Sequence, residues 1–466
     1  MIVPDTKWQP DVSNTGRSKY KALAAAIRDG IVSGQLGAGA KLPPVRELAY
    51  QIGVTPGTVA RAYGMMTDEG RLVAEVGRGT FVAGRARSGP PADVPLINTV
   101  NEKTADFRSS RVPDVGQGVL IDDAMMRVAQ SHRRRHINYP TEETDREVRE
   151  ALIGWLSDTD LGTVDPDHIV LSNGAQNGCI MALFDVLSGS APVIVTEDLA
   201  YPGVRHAARL LRAKLVGVEM DADGIIPEAL AAVYREHGGQ VLMTSPAVHS
   251  PTTIQTPLAR KREIAKVAKS LNLTIIDDDC YSSVATGIPS YRAILPEQTY
   301  YVSSLTKSIS GALRFGFVVA PVGRGETLRQ VAQSAHYGVA QPITDLCAGL
   351  LTSGTAARIR SDVSAAIAAR VRVAVNILGA WDIGWREDAP FIWLTLPLGW
   401  RASAFMAACE QRGILVKPAD EFVLLGGRAP NAVRLAISTC VSDQLYEAAL
   451  HEINALLAHP QGRISN

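Results

Sequence analysis

Lys307 stands in the run Ser303-Ser304-Leu305-Thr306-Lys307-Ser308-Ile309-Ser310-Gly311-Ala312-Leu313-Arg314. A lysine amine condenses with an aldehyde to a Schiff base, and hydroxyls with a nearby arginine hold a phosphate. The run therefore suggests a phosphorylated aldehyde cofactor. Four other segments carry side chains of use to such a group. Ser172-Asn173-Gly174-Ala175-Gln176 follows a strand-like run and opens a helical one, where backbone N–H groups would cradle an anion. Glu197-Asp198-Leu199-Ala200-Tyr201-Pro202-Gly203 puts an aromatic ring after the next strand. Asp277-Asp278-Asp279-Cys280-Tyr281 ends another strand, and Arg434 follows late in the chain.

Short apolar strands alternating with longer helices must position these residues. From about 105 onward, strand-like runs occur at 169–171, 193–195, 214–218, 241–243, 273–276, 300–302 and 315–319. Helical patterns lie between them; over 262–271, Ile264, Val267, Ala268 and Leu271 share one side. This alternation predicts an α/β fold with a mainly parallel sheet wrapped by helices. From about 360 a further αβ segment, with strand-like runs at 392–396 and 432–437, reads as a smaller C-terminal subdomain.

The N-terminal region has a different pattern. Residues 17–84 predict helices over 19–32, 45–52 and 56–69, with Pro43-Pro44 opening the second. Gly53-Val54-Thr55 is a short turn, and 72–76 and 80–83 form a hairpin around Gly77-Arg78-Gly79. Two helices across a tight turn, followed by a hairpin, make a winged helix-turn-helix. Residues 85–104, rich in Arg, Ser, Gly, Pro and Asp, read as a linker to the domain spanning 105–455.

Composition sets the outer limits. At 466 residues the chain is too long for one ordinary core. With 46% hydrophobic and 20% charged residues it is of soluble globular type, and no apolar run suits a membrane span. The N-terminus lacks a signal-peptide core, and the five dispersed cysteines fit neither a disulfide framework nor a metal clip. A cytoplasmic location without a bound metal is expected. Net charge is zero, yet residues 17–87 hold eleven basic and five acidic residues, a local net of +6. A basic head on an acidic body suggests that only the head meets a polyanion.

The words Lys41-Leu42-Pro43-Pro44-Val45-Arg46-Glu47-Leu48-Ala49 and Gly53-Val54-Thr55-Pro56-Gly57-Thr58-Val59-Ala60-Arg61-Ala62-Tyr63 closely resemble the GntR family of bacterial transcription factors, as does the wing Gly77–Val82. The resemblance implies binding to a double-stranded DNA operator. Thr55 and Thr58 can bond phosphate or base edges, Arg61 can reach a groove, and Arg46 can hold backbone phosphate. Gly79, with Gly77, lets the wing approach the duplex.

The body, in the order of its pieces, resembles the fold type I pyridoxal-phosphate enzymes of the aspartate aminotransferase superfamily. Joined to the head, the whole chain resembles the MocR subfamily of GntR-type regulators. The resemblance implies that Lys307 binds pyridoxal 5'-phosphate as the internal aldimine. It implies that Asp278, three before Tyr281, faces the pyridine nitrogen; Asp277 and Asp279 are its competitors. Tyr281 would bond the ring's phenolic oxygen and Tyr201 would stack on the ring. Ala175, Gln176, Ser304, Thr306 and Arg314 would hold the phosphate. Tyr139 would reach the phosphate of the neighbouring subunit in a homodimer, expected to be head-to-tail. Arg434 matches the arginine that pairs with a substrate carboxylate, for which a bidentate fork is the natural receptor.

Two departures stand out. The superfamily's Asn-Pro-Thr-Gly turn reads Ser250-Pro251-Thr252-Thr253, and the stretch after Tyr139-Pro140 lacks the usual Gly. Both weigh against efficient turnover, while His249 is a candidate substitute donor. His132-Arg133-Arg134-Arg135-His136 reads as a solvated helix end. The expected function is a regulator sensing an amino-acid-like or other amine effector through aldimine exchange at Lys307. The alternative is a genuine aminotransferase with an accessory DNA-binding domain, and half-reactions stay open in either case.

Overall fold

The computed structural model describes residues 8, 10, 19–33, 35–37, 40–68, 72–75, 79–82, 104–131, 136–281, 287–424, 427, 429–438 and 442–459. Gly77 and Arg78 of the wing, nearly all of the expected linker, His132–Arg135 and Cys440 lie outside them. The chain divides into two compact units, residues 1–93 and 94–466.

The first unit holds α1 (Lys19–Val32), α2 (Val45–Gln51), α3 (Pro56–Asp68) and the antiparallel pair β1 (Leu72–Glu75) and β2 (Gly79–Val82). Leu23, Ile27, Leu48, Val59, Ala62, Met66 and Val82 close one apolar core. The buried Tyr63 hydroxyl donates to the Pro43 carbonyl (2.9 Å), tying α3 to the entry of α2. A short third strand was not foreseen. Leu42 N–H donates to Thr80 O and Val82 N–H to Ala40 O, both at 2.8 Å, so residues 40–42 extend the hairpin.

The second unit is built on a seven-stranded sheet of β3 (Ile169–Ser172), β4 (Val193–Glu197), β5 (Lys214–Val218), β6 (Val241–Thr244), β7 (Thr274–Asp278), β8 (Thr299–Ser304) and β9 (Gly316–Val319). The spatial order is β3-β9-β8-β7-β6-β4-β5. Only β9 runs against its neighbours, β8 and β3. Both faces are covered: Ile169 and Leu171 enter one apolar cluster and Val170 another. Burial on both faces explains the nearly continuous apolar wording of these strands. A four-stranded antiparallel sheet follows, containing β10 (Ile383–Gly384), β11 (Phe391–Thr395), β12 (Lys417–Pro418) and β13 (Ala432–Ala436) in the order β10-β11-β13-β12. The 24-residue helix Thr355–Leu378 and the helix Asp443–Ala458 pack in the same unit. Among the described residues no helix is long and apolar enough to cross a membrane.

Candidate functional site

Because β9 alone is reversed, Ser172, Glu197, Thr244, Asp278 and Ser304 all finish at one edge of the sheet, where β9 begins. The crevice outside the carboxyl ends of such strands is where ligands bind in open α/β sheets. The loops leaving these ends carry most of the body's candidate residues.

An anion cradle forms between the first loop and the start of β9. Helix α4 (Ala175–Val186) begins behind Gly174, and no side chain caps it. Its first N–H groups therefore suit an anion. Arg314 adopts a left-handed backbone (φ 47°), and its Nη2 donates to Asn173 O at 3.1 Å. Gly174 has φ +84°, and a Cβ there would lie 2.5 Å from Arg314 Nη2. A Cβ at Gly316 would lie 2.7 Å from the Gly174 backbone. These two glycines let Arg314 close on the helix start. Ser304 Oγ accepts from Thr306 N–H (3.3 Å). Thr306 Oγ1 and Ser308 Oγ are buried without a hydrogen-bond partner. An unsatisfied buried hydroxyl costs about 1–3 kcal/mol, so these two fit a phosphate's oxygens. Ser308 was not singled out from the sequence. Gln176 instead spends its side-chain amide on Gly203 O (2.9 Å), leaving its backbone for the cradle.

Lys307 Nζ donates to the Ser110 carbonyl (2.7 Å) and lies 5.7 Å from the centre of the Tyr281 ring. Burial lowers its pKa to about 8, and the positive Arg434, Arg111 and Arg314 act in the same direction. The three consecutive aspartates have different partners. Asp277 Oδ2 accepts from Tyr291 N–H (2.9 Å), and Asp279 Oδ2 from the Tyr301 hydroxyl (2.9 Å). Among the described residues Asp278 accepts from the Cys280 thiol alone (2.7 Å), and burial pushes its pKa up to about 6. A cationic ring nitrogen beside Asp278 would offset that burial. Tyr201 is also held above its usual range, first by burial and then by Tyr281, Cys280 and Asp278 nearby. Its ring packs against Gly203, where a Cβ would lie 2.1 Å from Tyr201 Cε1.

Arg434 lies buried on β13. Its Nη1 donates to Ser250 Oγ (3.1 Å) and its Nη2 to Arg108 O (2.8 Å). Its guanidinium carbon lies 5.2 Å from the Phe391 ring centre and 4.9 Å from that of Phe422, and Nε has no partner. The Tyr281 phenol pairs with this guanidinium, a contact not expected from the sequence. Arg108, Ser110, Phe391 and Phe422 were missed too, because backbone acceptors and stacking rings carry no motif. His249, weighed as a substitute donor, is fully engaged. It meets Thr252 Oγ1 (2.7 Å) and Leu199 O (2.9 Å), so its role is to hold two loops together. Tyr139 is 74% exposed with its ring against Tyr337 (5.5 Å), and among the described residues no contact joins it to the Lys307 group.

In the head, Thr55 Oγ1 accepts from Thr58 N–H (3.3 Å) and meets Thr58 Oγ1 (2.9 Å), so Thr55 caps α3. Arg61 is exposed and lies over the Tyr20 ring (4.2 Å). Arg46 is exposed at the second position of α2. Gly79 opens β2 with φ +117°.

Comparison with known proteins decides the family. Residues 106–453 match the model of aminotransferase class I and II. The chain belongs to the aminotransferase class I and II family. Residues 19–82 match the model of bacterial regulatory proteins of the gntR family, so the chain has the MocR architecture. The uncharacterized HTH-type transcriptional regulator YdeF of Bacillus subtilis is 26% identical, with 94% of each chain covered. The HTH-type pyridoxine biosynthesis transcriptional regulator PdxR of Corynebacterium glutamicum is 26% identical over 66% of this chain and 67% of its own. The crystal structure of an archaeal alanine:glyoxylate aminotransferase superposes with a TM-score of 0.68 at 20% identity, covering 76% of this chain and 91% of that one. This last match shows the shared fold.

The class I and II aminotransferase family binds pyridoxal phosphate, and the orphaned hydroxyls, uncapped helix and half-buried, desolvated lysine of this aminotransferase domain fit that group. The lowered pKa of Lys307 gives a test. Only the neutral amine attacks an aldehyde. Attachment of pyridoxal phosphate to the cofactor-free protein is therefore expected to speed up with pH and level off above about 8. Stopped-flow absorbance across pH 6–10 checks this; a rate still climbing at pH 10 would mean an ordinary lysine. Stability follows the same shift. An unfolded lysine titrates near ~10.4, so the unfolded chain binds more protons between about 8 and that value. Stability of the cofactor-free protein should rise with pH across this window.

Proposed function

We propose that the protein is a DNA-binding transcription regulator whose aminotransferase domain holds pyridoxal phosphate on Lys307 and senses an amine that carries a carboxylate. The observation that supports this most is the meeting of Lys307 and Arg434 on one backbone segment, Arg108 to Ser110. An amine-reactive group and a carboxylate receptor share a site on a chain that begins with a GntR-type head. When bound, pyridoxal phosphate supplies an aldehyde and an electron-withdrawing ring. Ala175, Gln176, Ser304, Thr306 and Arg314 would hold its phosphate, Asp278 its ring nitrogen, and Tyr201 its ring face. Lys307 is the amine that an effector displaces, and Arg434 binds the effector's carboxylate. An effector shifts the regulator only by its differential affinity for two arrangements. The protein acts as a homodimer in this proposal, with Tyr139 reaching the partner's phosphate.

The deciding experiment is on the purified full chain. Borohydride should fix pyridoxal phosphate to Lys307, and one DNA sequence should be selected from a random duplex pool. A protein that takes up no cofactor, or selects no sequence, would remove the proposal. Sustained keto-acid formation from an amino donor would favour the aminotransferase alternative.

The head supplies its own test. Arg61→Ala is expected to weaken binding to the selected duplex by roughly tenfold or more, with cofactor absorbance unchanged. Gel shifts at two salt concentrations check it, since lost phosphate contacts flatten the salt dependence. Circular dichroism controls for the lost contact with Tyr20, a contact of the order of 0.5–1 kcal/mol. An unchanged gel shift would strike Arg61 from the DNA contacts.

A further inference from the structure

The chain enters the aminotransferase domain through residues 105–111, and this entry strand crosses the site. Phe107 is held on both sides: its N–H donates to Leu415 O, and its carbonyl accepts from Ala436 N–H, each at 2.8 Å. Arg111 N–H donates to Ser438 O, also at 2.8 Å. Between these anchors Arg108, Ser109 and Ser110 form an arch. Its carbonyls face the two site cations, Arg108 O accepting from Arg434 Nη2 (2.8 Å) and Ser110 O from Lys307 Nζ (2.7 Å). Asp106 braces the arch. Its Oδ1 accepts from Arg108 N–H and Nε, each at 2.9 Å, and its Oδ2 from Nη2 at 2.8 Å.

We infer that this arch is an intramolecular latch, which competes with ligands for Lys307 and Arg434 and opens as the site fills. The inference rests on the function proposed above. A carboxylate gripped by both Nη atoms of Arg434 takes the place of Arg108 O. A lysine nitrogen bonded to the cofactor no longer carries the ammonium protons that Ser110 O accepts. A carboxylate is a stronger acceptor for a guanidinium than a neutral carbonyl, so a charged ligand wins the exchange. The closed latch lowers apparent ligand affinity by the fraction of molecules in which it is open.

Hydrogen exchange on the full chain tests the latch with three samples: cofactor-free, with pyridoxal phosphate, and with the stable adduct phosphopyridoxyl-L-alanine. The amides of Arg108 and Arg111 report on the arch, and the helix Leu258–Ser270 serves as a reference. The adduct is expected to speed arch exchange by roughly tenfold, the effect of losing about one net hydrogen bond. Pyridoxal phosphate alone should give a smaller rise, and the reference helix should not change. Ligand absorbance reports binding separately. If neither ligand binds, the proposed function falls and the latch with it. If the adduct binds and arch exchange is unchanged, the latch alone is overturned. A variant outside the ligand contacts gives a second test. Asp106→Ala should loosen the arch without ligand and tighten adduct binding several-fold. Weaker binding by a folded Asp106→Ala protein would mean that the arch supports the ligand, and would overturn the latch.

Discussion

In the full chain carrying Lys307→Ala, borohydride is expected to fix no pyridoxal phosphate, while binding to the selected duplex persists. The effect on attachment should be complete, because covalent capture needs a neutral amine at the site. Lys307 is half-buried, with its pKa lowered to about 8 by desolvation, and it lies beside the Tyr281 ring and in the field of Arg434 and Arg314. Lysines on the surface stay protonated near neutral pH and react slowly. Phosphate binding through the start of α4 and Arg314 does not need the amine, so weak, washable cofactor absorbance should survive. The fold should survive too. The substitution removes the bond to Ser110 O, worth roughly 0.5–1.5 kcal/mol net. It also removes a buried charge, which offsets part of that loss. Mass spectrometry of the reduced, digested protein reads the outcome. A stoichiometric label on another lysine would deny Lys307 its role. Loss of all DNA binding in a folded variant would contradict the separation of the two functions.

The parts of this arrangement visible in the sequence are those with a periodic or chemical signature. The seven sheet strands were legible because strands buried on both faces are short, apolar and bounded by turns. The position of β9 between β3 and β8 was not, since strand order leaves no local trace. Asp278 was distinguished from its neighbours by spacing to Tyr281, and strand alternation gives the physical reason. Asp277 and Asp279 project to one face of the sheet and meet Tyr291 and Tyr301, whereas Asp278 projects to the other. Thr55 shows how one residue type carries two signals. In Thr55-Pro56-Gly57-Thr58 the first threonine is an N-cap before a proline at the first helical position, a signal as readable as DNA contact. A lone histidine is more often structural, and His249 is placed that way, with both ring nitrogens already engaged by the fold. The arch could not be read at all. A backbone carbonyl accepting from a lysine or an arginine leaves no mark on residue type, and residue 108 meets Arg434 across a sequence separation of 326.

Arg434→Ala is expected to abolish discrimination between ligands with and without a carboxylate. The relevant pair is phosphopyridoxyl-L-alanine and the phosphopyridoxyl adduct of ethylamine, which differ only in that group. The wild-type protein should prefer the first by about two to three orders of magnitude, the range for a buried, hydrogen-bonded charge pair of 2–5 kcal/mol. Three features argue for a gain of this size. Arg434 is buried, so a carboxylate meets it with little screening by water. The rings of Phe391 and Phe422 pack near the guanidinium, and the Tyr281 phenol holds it further, so little side-chain freedom remains to be lost on binding. Its present partners, Ser250 Oγ and Arg108 O, are neutral acceptors that a carboxylate can displace. Arg434→Lys separates charge from shape. The ammonium keeps the attraction and loses the fork, so it should retain only part of the preference. Titration of each protein with both adducts measures the difference directly. Equal preference in wild type and Arg434→Ala would place the carboxylate elsewhere; Lys417, buried beside Arg434 and paired with Glu421 (3.1 Å), is the next cation to replace.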